Sequence, residues 1–428
     1  MVTRAFKDLA ILNVAKRGMP HERITFTPHP VAGKTPEELR AYVEGNDPVS
    51  GKPMMPEIVD YLTLPLSAEE SKTGKISPSM GPPTITDTAD NLQEYYLNNG
   101  MTDYLPIILP TEARVEAMLK GTSHDPEEKC GQMAAGAYPP WSYTVRQVAV
   151  NAVMAGCRPE YFPVVLAIAS SGTPSLFSST NSFAYAAIVN GPIRDKLNMN
   201  YSIGALGPFA QPNAAIGRAW TLLSKNLGNG GIPGDTYMGS QGNNLNYNNL
   251  IIAENEAASP WTPFHVQKGF RAEENVVSMF RGLGIVPGQG ARGTSTDTPK
   301  YEEQFSDLFS VFTGFFGGLV VADPLIAVSL HKRGYDTKGK LIDWLYKNTN
   351  QTVKDYKSRD FAYGFDYPRA LKGLEPYATW YKMPDEAVIP RWPHMSDINV
   401  VVAGGQTNAF FQGGSLSYGV SISIDKWA

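Results

Sequence analysis

Cysteine is scarce in this chain: two residues, Cys130 and Cys157, among 428. They form no C-x-x-C pair, which excludes a thioredoxin-like motif and a cysteine-rich zinc site. A chain of this length buries a large core without covalent staples, so neither cysteine has to be bridged. Basic runs are missing too. The formal net charge is −4 and the isoelectric point about 5.9, which argues against nucleic acid or an anionic membrane as the main partner. Long apolar runs are also absent. The most apolar stretches, 164–169 and 315–322, fall far short of the roughly 20 residues that a membrane span needs. The opening MVTRAFKDLAILNVAKRG has a positive start, a short apolar patch and no small-residue cleavage site, so it does not read as a secretory signal. The expected compartment is the cytoplasm.

What is present is an ordinary globular balance, 42% hydrophobic and 18% charged, well away from the signature of disorder. The texture of the chain divides it into three. Residues 1–103 read as an arm and linker, in which short helical patterns at 35–44, 56–64 and 89–98 alternate with Pro and Gly breaks; 67–90 is rich in Ser, Thr, Pro and Gly. Residues 104–300 read as a central α/β domain and 301–428 as a C-terminal α/β domain. Buried strands are expected at LPIIL, SFAYAAIVNG, NNLIIAENE, NVVSMF, GGLVVADP and INVVVAGG. Helices are expected at TVRQVAVNAVMAG, stopped by Gly156, then at RPEYFPVVLAIASS, NAAIGRAWTLLSKNLG and DTKGKLIDWLYKN. Apolar strands alternating with helices imply an α/β fold: a mixed, largely parallel sheet with helices on its faces, preceded by an extended N-terminal arm. SYGVSISID alternates strictly and is expected as an edge or hairpin strand. No internal repeat is legible.

The segment AENEAASPWTPFHV carries the strongest chemical signal. An apolar strand runs directly into Glu254 and Glu256, and strand ends form the ligand crevice of open α/β sheets. Two apart on a strand, the carboxylates point the same way. They suit an acid/base pair, or a divalent metal with His265 as third ligand or proton carrier. The competing explanation is a solvated loop with one helix-capping glutamate. In GALGPFAQPNAAIGRA the helix start at Asn213, with Arg218 about two turns on, offers an anion site; an ordinary Asn cap with a surface Arg explains it equally. Asn190 ends a strand before Gly191-Pro192, where its amide is placed to orient a substrate or simply to make a turn. Gln241 and Asn243, in an amide-rich run, are candidate pocket residues.

Gly404 and Gly405 follow a strand and precede Thr407 and Asn408, a turn suited to holding a carboxylate or oxyanion. Cys157 precedes a helix start, where a thiol pKa can fall enough to make a nucleophile, although a lone cysteine there is more often a small buried hydrophobe. GLGIVPGQGARG follows a strand but misses the G-x-G-x-x-G spacing and contains Pro287, so no nicotinamide site is supported. No flavin or P-loop nucleotide signature and no G-x-S-x-G elbow is present either.

YLPIILPTEARVEAMLKGT, VAVNAVMAGCRPEYFPVVLA, NAAIGRAWTLL, AENEAASPW, the region 334–346 and NVVVAGGQTN resemble a widespread bacterial family associated with small redox proteins that carry a selenocysteine-Gly-Ser-Cys motif. The resemblance spans 104–408. It implies thiol or selenol chemistry with a redox partner protein. The motif itself is absent; its nearest approach is Cys130-Gly131-Gln132-Met133.

The leading expectation is an enzyme of lyase or hydrolase type that transforms a small polar metabolite bearing a carboxylate or carbonyl group. Glu254 and Glu256 would supply the acid/base or metal chemistry. The alternative is a non-catalytic or co-catalytic subunit that partners a thiol or selenol protein in C–S or C–N bond cleavage. A homo-oligomer is expected in either case.

Overall fold

The computed structural model describes residues 1–31, 34–74, 84–133, 141–177, 181–234, 237–288 and 300–428. The middle of the expected linker and the end of the GLGIVPGQGARG segment lie outside the described residues. Six strands form one sheet: β1 (Ala184–Asn190), β2 (Leu250–Ala253), β3 (Val276–Gly288), β4 (Gly318–Ala322), β5 (Ile398–Val402) and β6 (Phe411–Ser423). Their spatial order is β5-β4-β6-β3-β1-β2. β1 and β2 run parallel, as do β4 and β5, while β1–β3, β3–β6 and β4–β6 are antiparallel. The sheet is therefore mixed, and the largely parallel arrangement is corrected. Short apolar strands joined through helices pair in parallel; the two long, alternating strands lie antiparallel between those pairs.

SYGVSISID is the distal half of β6. It faces β3 on one side, while the proximal residues Phe411–Ser415 lie between β3 and β4. LPIIL is not a strand. Its backbone is held by groups from outside any sheet: Ile108 N–H donates to Met154 O at 3.2 Å, and the Gln93 side chain binds both Ile107 N and O. The arm carries the helices expected in it, at Pro36–Glu44, Met54–Thr63 and Ala89–Asn98, and a further one at Lys7–Lys16.

Strands from both sides of residue 300 belong to this one sheet, and the order is a palindrome. Each half runs inner strand, helical crossover, parallel edge strand, then a long antiparallel strand at the centre. The chain has repeated one topology about an approximate dyad between β3 and β6. Equivalent hydrogen bonds mark it: Glu254 N–H to Val189 O at 3.1 Å in the first half, Ala403 N–H to Ala322 O at 3.0 Å in the second. Asn190 thus corresponds to Asp323, and Glu254 to Ala403.

The sheet curls until its opposite edges touch. Asn255, just past β2, donates its N–H to Val402 O of β5 at 2.7 Å. Ile188, Ile252, Phe280, Val321, Val401 and Leu416, one from each strand, fill the enclosed interior. Two further cores cover the outside. Helices α1 (Val145–Met154), α2 (Phe162–Ser170) and α3 (Gln211–Asn226) pack over the first half. Helices α4 (Tyr301–Ser310), α5 (Pro324–Lys332) and α6 (Lys338–Asn348) pack over the second. α1 starts as its sequence demands, with Thr144 and Gln147 forming a capping box. Among the described residues no helix is long and apolar enough to cross a membrane.

Near the dyad, β3 and β6 approach too closely for any side chain at Gly282. A Cβ there would stand 1.8 Å from Ser415 O. Gly282→Ala is expected to lower the unfolding free energy by about 2–3 kcal/mol, because backbone on both central strands must shift. Urea denaturation checks this; an unchanged midpoint would mean that the central ladder is more compliant than its packing implies.

Candidate functional site

At the end of β2, Glu254 continues the ladder with β1 and turns its carboxylate into the protein, where none of the residue is exposed. Oε1 accepts from Lys338 Nζ at 2.6 Å; Oε2 accepts from Asn190 Nδ2 at 2.6 Å and from Phe264 N–H at 2.7 Å. Lys338 is itself wholly buried. Glu256, in the turn that follows β2, lies beside Glu254 and is slightly exposed. Its Oε1 accepts from Asn190 Nδ2 at 2.8 Å and Gly191 N–H at 2.9 Å, and its Oε2 lies 3.0 Å from Arg194 Nη2. Arg194 also donates to the carbonyls of Gly191 and Glu254. Gly191 is required at that bend. It has φ +89°, and a Cβ would meet Glu274 O at 2.3 Å.

The result is a charge-balanced buried network of two carboxylates and two cations drawn from both halves of the fold. His265 sits beside it, wholly buried, with Nδ1 4.0 Å from Glu256 Oε1 and Nε2 3.3 Å from Ala272 O. Lys268 closes the group. Its ammonium lies over the rings of Tyr418 and Phe264, at 4.2 and 4.9 Å, and donates to Asn399 Oδ1 at 3.0 Å. Burial first, and the nearby Lys338 second, push the Lys268 pKa down.

The sequence brought Glu254, Glu256, Asn190 and His265 forward, and the structure places them together. It gives the carboxylates different company from that expected. Every carboxylate oxygen is occupied by an N–H donor, and a metal would have to displace Lys338 or Arg194 to reach them. Among the described residues no three His, Cys, Asp or Glu side chains form a metal-ligating group.

The remaining candidates fall elsewhere. Asn213 is not a cap: α3 begins at Gln211, the cap position is Ala210, and Asn213 instead binds Asn200 N and O and Ile251 O. Arg218 is not available to an anionic ligand. It makes a two-pronged ion pair with Asp103, at 2.8 and 2.9 Å, and a bond to Pro106 O. Cys157 is buried with its thiol directed at Ala215 O, and burial raises its pKa, the reverse of what a nucleophile needs. Asn243 caps the short helical turn Asn244–Tyr247 and also binds Ser182 O and Leu283 O. It lines a cleft with Gln241, away from the strand-end network.

Gly404, Gly405, Thr407 and Asn408 line a second cleft, of about 330 Å³, whose opposite wall is the loop Ile203–Gly207. Asp323, the dyad mate of Asn190, forms part of its lining. It caps α5 through Ile326 N–H at 2.9 Å and accepts from Phe410 N–H at 2.6 Å. Burial raises its pKa; three backbone N–H groups, from Ile326, Phe410 and Leu325, act against that rise. Asn255 connects the cleft to the charged network, donating its side-chain amide to Gly404 O at 3.0 Å.

Lys338, Arg194, Lys268, Asn255 and Asp323 were not singled out from the sequence. Lys338 did carry a signal. It follows the cap Thr337 as the first residue of a helix, where a cation opposes the helix dipole and calls for an acidic partner. No family model, curated protein or solved structure matches the chain.

Breaking a buried ion pair from one side leaves an uncompensated charge. Lys338→Met and Glu254→Gln are each expected to cost about 3–5 kcal/mol, and the double variant less than their sum. Denaturant titration of the three variants reads this. Strict additivity would show that the two side chains are not coupled.

Proposed function

We propose that this chain is an enzyme acting on a small polar metabolite with a carboxylate or carbonyl group, and that the reaction takes place in the cleft between the Gly404-Gly405 turn and the 203–207 loop. One observation carries the reading. The Gly404-Gly405 turn and the 203–207 loop, about 200 residues apart in sequence, line one cleft together with Thr407, Asn408 and the buried Asp323 carboxyl. Asp323 is the proton-transfer group in this reading. A carboxyl lifted by burial moves toward the working pH and becomes a better acid and base. Thr407 and Asn408 supply exposed hydroxyl and amide groups for the polar part of the substrate.

Glu254 and Glu256 take a positioning role. Neither lines the cleft, and their oxygens are bound by the cations Lys338 and Arg194, by Asn190 and by backbone N–H groups, so they hold the strand ends. Lyase or hydrolase chemistry suits a site built on one acid/base carboxyl and neutral hydrogen-bonding groups. Of the alternative, the partner-subunit reading, the buried Cys130 and Cys157 support only the form in which the reactive thiol or selenol belongs to the partner. Burial pushes the Cys130 thiol up to about 12.

Proton NMR of short-chain hydroxy, oxo and unsaturated acids incubated with the chain reads turnover directly. Asp323→Asn is expected to reduce it by about a hundredfold or more while substrate-induced protection against thermal unfolding persists. Thr407→Val with Asn408→Ala is expected to lose that protection. Full turnover in Asp323→Asn would remove the assignment.

The pH dependence has a definite sign. A carboxyl raised in the folded state binds its proton more tightly than in the unfolded chain, so it favours folding most at pH values below the ordinary carboxylate range. That contribution is lost as pH rises through the raised Asp323 pKa, and turnover by the ionised base rises over the same interval. Asp323→Asn is expected to flatten the stability profile there; a profile identical to that of the parent chain would place the titration elsewhere.

A further inference from the structure

The cleft that contains Gln241 and Asn243 has a volume of about 620 Å³, within the range of small-molecule sites. Its other walls include Lys225 from the last turn of α3, together with Asp103, Tyr104, Thr221 and Tyr237. We propose that Lys225 is an imine-forming amine, and that this cleft captures a small hydroxylated aldehyde or ketone.

The geometry of Lys225 differs from that of a surface lysine. Its stem packs against the backbone of Gly231, where an added Cβ would meet the Lys225 Cε at 3.1 Å and Cβ at 3.3 Å. Its Nζ stands 4.7 Å from the centre of the Tyr104 ring. Tyr104 is itself held at φ +65°, a left-handed backbone that an aromatic residue rarely adopts.

The nearest acid is already engaged. Arg218 holds both oxygens of Asp103, and among the described residues Lys225 makes no ion pair. Burial lowers the Lys225 pKa, with Asp103 acting the other way, so a larger fraction of the amine is neutral and nucleophilic than for an exposed lysine. Tyr237 also lines this cleft, and its hydroxyl is buried without a hydrogen-bond partner among the described residues. Burial raises its pKa, so it keeps its proton for donation. The amides of Gln241, Asn244 and Asn246 face hydroxyl groups of the ligand better than they would a second charge.

The step balances without an oxidant or reductant. The neutral amine adds its electron pair to the carbonyl carbon as the C=O π pair moves onto oxygen, and the proton that the nitrogen gives up passes through solvent to that oxygen, giving a neutral carbinolamine. A proton from Tyr237 reaches the carbinolamine oxygen, the C–O bond breaks and water departs. The product is a protonated imine on Lys225, and Tyr237 regains its proton from solvent.

Reductive trapping tests this on the full chain. Glyceraldehyde is supplied with cyanoborohydride, which reduces the protonated imine to a stable secondary amine, and the adducts are located by peptide mass spectrometry. Lys225 is expected to be labelled at least about tenfold faster than exposed lysines. Lys225→Arg should retain the melting temperature and lose the fast adduct, and Tyr237→Phe should slow it by about tenfold or more. Labelling of Lys225 at the rate of exposed lysines, or a fast adduct that survives Lys225→Arg, would overturn the proposal. A failure here leaves Asp323 and its cleft unaffected, because the two experiments read different residues in different cavities.

Discussion

A lysine at the positive end of a helix, stripped of water, is unfavourable on two counts. Lys338 occupies that position because Glu254, brought from the other half of the sheet, neutralises it at 2.6 Å. The pair is thus a geometric constraint as much as an energetic one. It can form only when the end of β2 and the start of α6 have reached the same place, which requires the sheet to have curled. Arg194 and Glu256 repeat the arrangement with slightly more water, and Asn190 bridges the two carboxylates. Exchanging the ion pair for apolar groups would remove a demanding condition on which strand ends come together.

Much of this was legible in the sequence, and the unread part has physical reasons. The six strands and the helices α1, α2, α3 and α6 announce themselves by apolar periodicity, with caps such as Thr144 before α1 and Thr337 before α6; α4 and α5 do not stand out in the same way. Strand direction was not readable. Short apolar strands carry no mark of whether their neighbour is parallel, so the antiparallel centre came as a correction. LPIIL is apolar enough for a strand, but its hydrogen bonds go to Gln93 and Met154, and no periodicity records that. Glu254, Glu256, Asn190 and His265 were recoverable because acids at a strand end are unusual. Arg218 and Asn213 misled because a charge or amide near a helix start has the same local signature whether it meets a ligand or, as here, another part of the chain.

The repeat escaped notice for a related reason. AAIVNG and LVVADP occupy equivalent places, as do LIIAENE and NVVVAGG, yet they share almost only their apolar strand residues. Divergence is greatest at the strand ends. The first copy's end is filled by its own Glu254 and Asn190 together with Lys338 from the second, while the second has Ala403 and two glycines there and leaves a cavity beside Asp323. Small residues at Gly404 and Gly405 create that space; a Cβ on Gly405 would stand 2.3 Å from Ile203. One copy therefore contributes cohesion and the other room.

The palindromic sheet also bears on how the chain reaches its native state. Within each half the paired strands stand closer in sequence than in the central ladder, which joins Val276–Gly288 to Phe411–Ser423. Local pairing has the lower entropic cost. Each half can assemble first as an open trough, with half of the shared interior facing water and a long strand unpaired at its rim. In a crowded solution the complementary rim nearest to hand can belong to another molecule. Two chains that exchange halves would satisfy every native contact of both, so the duplicated architecture carries with it an intrinsic route to an entangled dimer.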